Sequence, residues 1–106
     1  MRRPEDCNSM TDLRAAIDAL DRDLIEMLAR RAGYIDRAAE LKPAEGMPAR
    51  ISARVEQVVA NVRSSARTNA LDPDLVETLW RPLIEWSIRR EEEVLGPSAP
   101  QDDKES

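Results

Sequence analysis

Apolar residues recur at every third or fourth position along three stretches of this chain, which is the spacing of amphipathic helices. The pattern predicts a long first helix over residues 12–42, a second over 49–69 and a third over 73–95. The stripe of the first helix consists of Leu13, Ile17, Leu20, Leu24, Met27/Leu28, Ile35 and Ala38. With few β-branched runs and no Phe, the chain is predicted to be all-α, with one long and two shorter helices.

Composition divides the chain into three parts. Residues 1–8 lack periodicity and are predicted to be a leader, 9–96 to be one helical domain, and 97–106 to be a disordered polar tail. Two prolines and a glycine make residues 43–48 the clearest loop. Because a lysine precedes this loop and Arg50 follows it, we expect it to close over a bound anion.

Specific residues mark the predicted helix ends. Ser9 or Thr11 can cap the first helix, and Asp72 followed by Pro73 is typical of the start of a helix. Pro82 lies inside the third helix, where it removes one backbone hydrogen bond and is expected to bend the helix.

Two positions on the stripe of the first helix hold charge, Arg31 and Lys42. An unpaired charge on a buried face costs several kcal/mol, and an arginine side chain does not lose its proton in proteins. An anion is therefore expected close to Arg31.

The length of the first helix predicts an assembly. Thirty-one residues at 1.5 Å each extend about 46 Å, well beyond the diameter of a compact domain of this size. Two shorter helices do not cover such a helix, so we predict an intertwined homodimer in which the first helix pairs with its twin.

Composition excludes several classes of function. The net charge of −5 gives no basic excess for nucleic acid, and no apolar run approaches the ~20 residues of a membrane span. The chain has no histidine, which removes Ser-His catalysis and the commonest zinc ligand. Cys7 is the single cysteine, which suits a reducing cytoplasm, and we expect a cytoplasmic protein.

Most charged residues of such a chain belong to solvated helix faces. Arg14, Arg31, Lys42 and Arg54 are different because they lie on or beside apolar faces, as does Glu91 on the third helix. Four cations predict a ligand with at least two negative charges, and bidentate arginine contacts favour carboxylates or phosphates. The alternative is a helical dimerisation module without catalysis, in which these arginines pair with acidic residues of the chain.

The four cations are separated by 17, 11 and 12 residues across the predicted helices. In this arrangement residues 4–95 resemble the all-helical, intertwined-dimer chorismate mutases of type II architecture and their relative isochorismate-pyruvate lyase. The opening Pro4-Glu5-Asp6-Cys7 and the stretch 70–86 look more like the lyase branch.

The resemblance implies a site for a small dicarboxylate, chorismate or isochorismate, and a pericyclic reaction that needs neither metal nor cofactor. Arg14 from the partner chain and Arg31 would clamp its carboxylates, Arg54 would support them, and Ser87 would reach a ring hydroxyl.

The resemblance also implies two catalytic residues. Lys42 would contact a carboxylate and the ether oxygen of the enolpyruvyl group, and Glu91 stands where many relatives have a Gln that donates to this oxygen. An ionised carboxylate cannot donate a hydrogen bond, so Glu91 would need a proton to help. Activity is then expected to fall as the pH rises through the titration of Glu91.

Two reactions remain open. Many mutases carry acidic residues where this chain has Ile51 and Val55, which favours the lyase, whereas Ser87 and Glu91 favour the mutase. The sequence interpretation leans to rearrangement of chorismate to prephenate, with cleavage of isochorismate to salicylate and pyruvate as the near-equal alternative. An amino analogue of chorismate is a further candidate substrate.

Overall fold

The computed structural model describes residues 3–97, which form three α-helices and no strand. Helix α1 is Met10–Leu41, α2 is Ser52–Thr68 and α3 is Pro73–Leu95. Short 3-10 helices, Pro4–Asp6 and Pro43–Glu45, precede and follow α1. The predicted all-α fold of one long and two shorter helices is confirmed.

The helix ends follow from local side-chain chemistry. Ser9 Oγ accepts a hydrogen bond from the backbone N–H of Asp12 at 3.1 Å, and the Asp72 carboxylate accepts one from the N–H of Asp74 at 2.9 Å. Of the two predicted caps of α1, Ser9 is therefore the one that bonds the first turn. Helix α3 continues through Pro82 without interruption. The bend expected at this residue stays a prediction.

Helix α2 begins at Ser52, three residues later than its predicted start at residue 49. The carbonyl of Ala49 accepts a hydrogen bond from Lys42 Nζ at 2.8 Å. The lysine side chain is thus the donor where a helix would supply a backbone N–H. Ile51 has extended backbone angles and immediately precedes the helix. The prediction of an earlier start was wrong because apolar periodicity continues through this extended segment.

The chain forms two compact units, Met1–Tyr34 and Ile35–Ser106. In the second unit α2 packs on α3 around an apolar core. Its buried members are Ala49, Val59, Ile84 and Ile88, with Val55, Val58, Trp80 and Leu95 packed against them. These side chains come from α2, from α3 and from the segment that precedes α2.

Ion pairs border the contact between α2 and α3. Arg63 bonds Asp74 and Glu77, and Arg81 bonds Glu56 and Glu77, at N–O distances between 2.6 and 3.1 Å. The Arg81 guanidinium is the main cause of a lowered pKa at Glu77, and burial opposes it. These ion pairs help to fix the position of α2 relative to α3 along the edges of the core.

The first unit exposes most of its apolar side chains. None of residues 3–34 is buried, and exposed large apolar residues occur along the part of α1 in this unit. They are Met10, Ile17, Leu20, Leu24, Ile25, Met27, Leu28 and Tyr34.

The predicted leader includes Met1 and Arg2, which lie outside the described residues, and the 3-10 turn Pro4–Asp6. Of the predicted tail only Pro97 is described. Within residues 3–97, no helix has the combination of length and apolar character that crossing a membrane requires.

Candidate active site

Lys42 directly follows the last residue of α1, and its backbone is held on both sides. Its N–H donates to the carbonyl of Ala38 at 2.9 Å, and its carbonyl accepts from the N–H groups of Glu45 and Met47 at 3.1 and 3.0 Å. The turn passes through Gly46 at φ 68, a left-handed conformation that glycine adopts without a steric penalty. The predicted loop is thus a folded turn built on the Lys42 carbonyl.

The ammonium of Lys42 has two oxygen partners in the second unit. Nζ donates to the carbonyl of Ala49 at 2.8 Å and lies 2.6 Å from Oε1 of Glu91 on α3. The side chains of Lys42 and Glu91 are only 16% and 6% exposed. A buried charge is tolerated when it has a partner of opposite charge, which each residue supplies to the other.

The contact with Glu91 has the distance of an ion pair but not the alignment of a hydrogen bond. Within residues 3–97, Glu91 Oε1 is a buried oxygen without a hydrogen-bond partner. Such an atom carries an unused acceptor site, because a carboxylate oxygen has two lone pairs. Lys42 and Glu91 therefore form a charged pair whose hydrogen-bonding capacity is incompletely used.

Ser87 lies one turn before Glu91 on the same face of α3, and both residues are buried. The spacing of four residues places their side chains next to each other along the helix. Ser87 Oγ donates to the carbonyl of Leu83 at 2.9 Å. The structure thus brings together three of the six predicted site residues on two segments of one unit: Lys42, Ser87 and Glu91.

The other three predicted residues lie elsewhere along the chain. Arg54, in the first turn of α2, is exposed and donates to Oε1 of Gln57 at 2.8 Å. Arg14 is exposed and Arg31 is half-buried, and both belong to the first unit. Their roles toward a ligand remain predictions.

Sequence reasoning missed two bidentate ion pairs near Lys42 and Glu91. Arg50 bonds Glu85 through both terminal nitrogens at 2.9 and 2.5 Å, although its position suggested contact with a bound anion. The Arg50 guanidinium is the main cause of a lowered pKa at Glu85, which burial opposes. Partners 35 positions apart leave no periodic signal, so no local pattern indicates this pair.

The second missed pair joins α3 to the end of α1. Arg90 bonds Asp36 at 2.5 and 3.0 Å, and its guanidinium carbon lies 5.3 Å from the centre of the Trp86 ring. The hydrogen bond from Arg90 lowers the pKa of Asp36. Asp36 and Arg90 precede Lys42 and Glu91 on their respective segments, so this pair helps to hold the two segments together.

Chemically, the site offers one ammonium, one carboxylate and one hydroxyl. Within residues 3–97, no group of three or more His, Cys, Asp or Glu side chains is arranged to hold a metal ion. The Lys42 ammonium can donate a hydrogen bond to an electron-rich oxygen.

Comparison with known proteins identifies relatives of this chain. The chorismate mutase type II family matches residues 13–92. An isochorismate pyruvate lyase from Pseudomonas aeruginosa is 37% identical over 89 residues, which span 83% of this chain and 86% of that protein. A 4-amino-4-deoxychorismate mutase from Streptomyces pristinaespiralis is 32% identical over 79% of this chain and 65% of its own length. A T-protein from Enterobacter agglomerans is 30% identical, but the match spans only 22% of that protein.

Proposed function

The chain belongs to the chorismate mutase type II family, and on this premise we propose that it cleaves isochorismate to salicylate and pyruvate. The observation that carries the choice of reaction is the 37% identity with an isochorismate pyruvate lyase, over most of both chains. This favours the cleavage of isochorismate, which the sequence analysis gave as the alternative to the rearrangement of chorismate. Ile51 and Val55, at positions where many mutases are acidic, support the same choice.

The proposed reaction needs no co-reactant, because salicylate and pyruvate together contain the atoms of isochorismate. The bond between the ring and the ether oxygen breaks, one ring hydrogen moves to the methylene carbon of the enolpyruvyl group, and the ring becomes aromatic. Negative charge grows on the ether oxygen as its bond breaks. The enzyme's task is to hold a compact conformer and stabilise this charge.

Lys42 is suited to the second task. Its ammonium is already desolvated and oriented by the Ala49 carbonyl and by Glu91, so it needs little reorganisation to donate toward the ether oxygen. Glu91 completes the site in one of two ways. As a carboxylate it holds Lys42, and with a proton it becomes a second donor to the same oxygen.

Binding of the substrate carboxylates needs positively charged side chains, and arginines of the first and second helices can supply them. We propose that Arg31 binds one carboxylate, that Arg14 reaches in from a second copy of the chain, and that Arg54 supports them. The exposed apolar residues of the first unit supply a surface for that copy, since Ile17 and Leu24 are 49% and 51% exposed. The homodimer is thus part of the proposed function.

The decisive experiment offers isochorismate and chorismate separately to the purified protein. We expect salicylate and pyruvate from isochorismate, with a higher kcat/KM than for prephenate formation from chorismate. Separation of the products by liquid chromatography distinguishes the two reactions. Turnover of chorismate without any turnover of isochorismate would overturn the lyase assignment.

Chorismate mutase activity is the second candidate. Its support is the match to the chorismate mutase type II family together with the similarity to a 4-amino-4-deoxychorismate mutase. The same cations serve both reactions, because both break the ether bond of an enolpyruvyl group. Including the 4-amino analogue in the assay tests the third substrate. The non-catalytic module considered from the sequence has no support from these relatives.

A further inference from the structure

The segment that joins α1 to α2 is fastened to α3 by the pair Arg50 and Glu85. Two parallel hydrogen bonds, 2.9 and 2.5 Å long, connect the guanidinium to the carboxylate. Arg50 lies outside any helix, whereas Glu85 lies on α3 six positions before Glu91. The pair therefore fixes a non-helical piece of backbone relative to the helix that carries Glu91.

This piece of backbone includes the carbonyl that holds Lys42. The carbonyl of Ala49 and the N–H of Arg50 belong to the same planar peptide group, so they move together. Ala49 itself is buried, with 4% exposure, in the core cluster. The oxygen that accepts from Lys42 Nζ is thus held by apolar packing before it and by the Arg50 pair after it.

We propose that Arg50 and Glu85 are positioning residues that orient the Lys42 ammonium through the carbonyl of Ala49. The catalytic consequence of this inference rests on the proposed function, in which Lys42 acts on the ether oxygen. The contacts that orient Lys42 lie within the protein, so the positioning role can be tested apart from the identity of the substrate.

The contacts distinguish this pair from the ion pairs of Arg81. Arg81 joins α3 to α2 through Glu56 and contacts Glu77 within α3, and the two helices are already held by the apolar core. Partly exposed ion pairs contribute little to stability, and Arg50 and Glu85 are 36% and 41% exposed. A displacement of about 1 Å at a catalytic group, in contrast, can slow a reaction about 100-fold.

The kinetic test compares Arg50→Ala and Glu85→Gln with the matched control Arg81→Ala. We expect the first two variants to lower kcat for isochorismate about 10- to 100-fold with a smaller change in KM. Arg81→Ala should retain the kcat of the wild type although it removes the ion pairs with both Glu56 and Glu77. The charge-exchanged variant Arg50→Glu/Glu85→Arg should recover most of the lost kcat, whereas equal kcat in Arg50→Ala and Arg81→Ala would overturn the proposal.

A second measurement reports the chemical reactivity of the Lys42 side chain and does not depend on turnover of a substrate. The chain has two lysines, Lys42 and Lys104, so trace acetylation followed by mass spectrometry yields the reactivity of Lys42 relative to an internal reference. We expect this ratio to rise about threefold or more in Arg50→Ala, because the ammonium loses an oriented acceptor, and to stay unchanged in Arg81→Ala.

The two measurements separate failure of the inference from failure of the proposed function. If the wild type turns over no substrate but the ratio rises in Arg50→Ala, the proposed function fails and the positioning role stands. If the wild type is active and the ratio in Arg50→Ala equals that of the wild type, the positioning role fails.

Discussion

At the scale of single residues, the contact between Lys42 and Glu91 decides what the site can do. Lys42 donates hydrogen bonds at a buried position, 2.6 Å from a carboxylate that is itself 6% exposed. Because each side chain compensates the charge of the other, removal of either is expected to affect both stability and chemistry.

Replacement of Lys42 is expected to abolish most of the activity. Lys42→Gln removes the charge that we propose stabilises the developing oxyanion, and loss of one such donor typically lowers kcat about 100- to 1000-fold. Arg37→Gln, on an exposed position of α1 beside Glu40, is the matched control and should retain kcat. Steady-state kinetics with isochorismate measures the difference, and comparable kcat in the two variants would remove Lys42 from the mechanism.

Glu91→Gln tests which of its two roles the carboxyl group performs. The amide of Gln donates a hydrogen bond at every pH, whereas the carboxyl group donates only when it is protonated. A hydrogen bond donated by Glu91 would make kcat of the wild type fall with rising pH, whereas the profile of Glu91→Gln would be flat. A profile that is the same in both proteins would contradict a proton-donating role for Glu91.

At the scale of the elements, α2 and α3 are joined by an apolar core with ion pairs at its borders. Glu77 contacts both Arg63 and Arg81, and the hydrogen bond from Arg81 is the main cause of its lowered pKa. A carboxyl whose pKa is lower in the folded than in the unfolded protein stabilises the fold above its unfolded pKa, near 4.5 for Glu. This stabilisation is lost as the pH falls through the lower, folded value.

Glu77→Gln should therefore be less stable than the wild type at neutral pH. The difference between the two urea midpoints is expected to shrink steadily as the pH falls below 4.5, because the wild-type carboxyl then gains its proton. Glu26→Gln, on an exposed position of α1, serves as the control. A difference that stays constant down to about pH 3 would show that the loss at neutral pH has another cause.

At the scale of the whole molecule, the proposed dimer makes a prediction about mixed subunits. If Arg14 serves the site of the partner chain, a dimer of one Arg14→Ala subunit and one Lys42→Gln subunit has one intact site. After exchange in an equal mixture, half of the dimers are mixed, so about a quarter of all sites should be active. Neither variant alone should be active, and a mixture without recovery would place Arg14 in the site of its own chain.

The apolar surface of α1 provides the physical test of that assembly. Leu24 is 51% exposed, and an acidic residue there would be buried in the proposed interface. We expect Leu24→Glu to sediment as the 12.0 kDa chain, whereas the wild type should sediment at twice that mass. A wild-type protein of 12.0 kDa at micromolar concentration would contradict the dimer.

Local patterns determined the three helices, the capping residues Ser9 and Asp72, and the buried position of Glu91, because period and capping depend on neighbours within about four residues. Only the tertiary structure decided that Lys42 meets Glu91, that Ala49 belongs to the core instead of to α2, and that Arg50 binds Glu85. The partners in these contacts lie on different segments and meet only when the helices pack. A stripe of apolar residues predicts which face is buried, but the packing of the helices selects which charges on that face become neighbours.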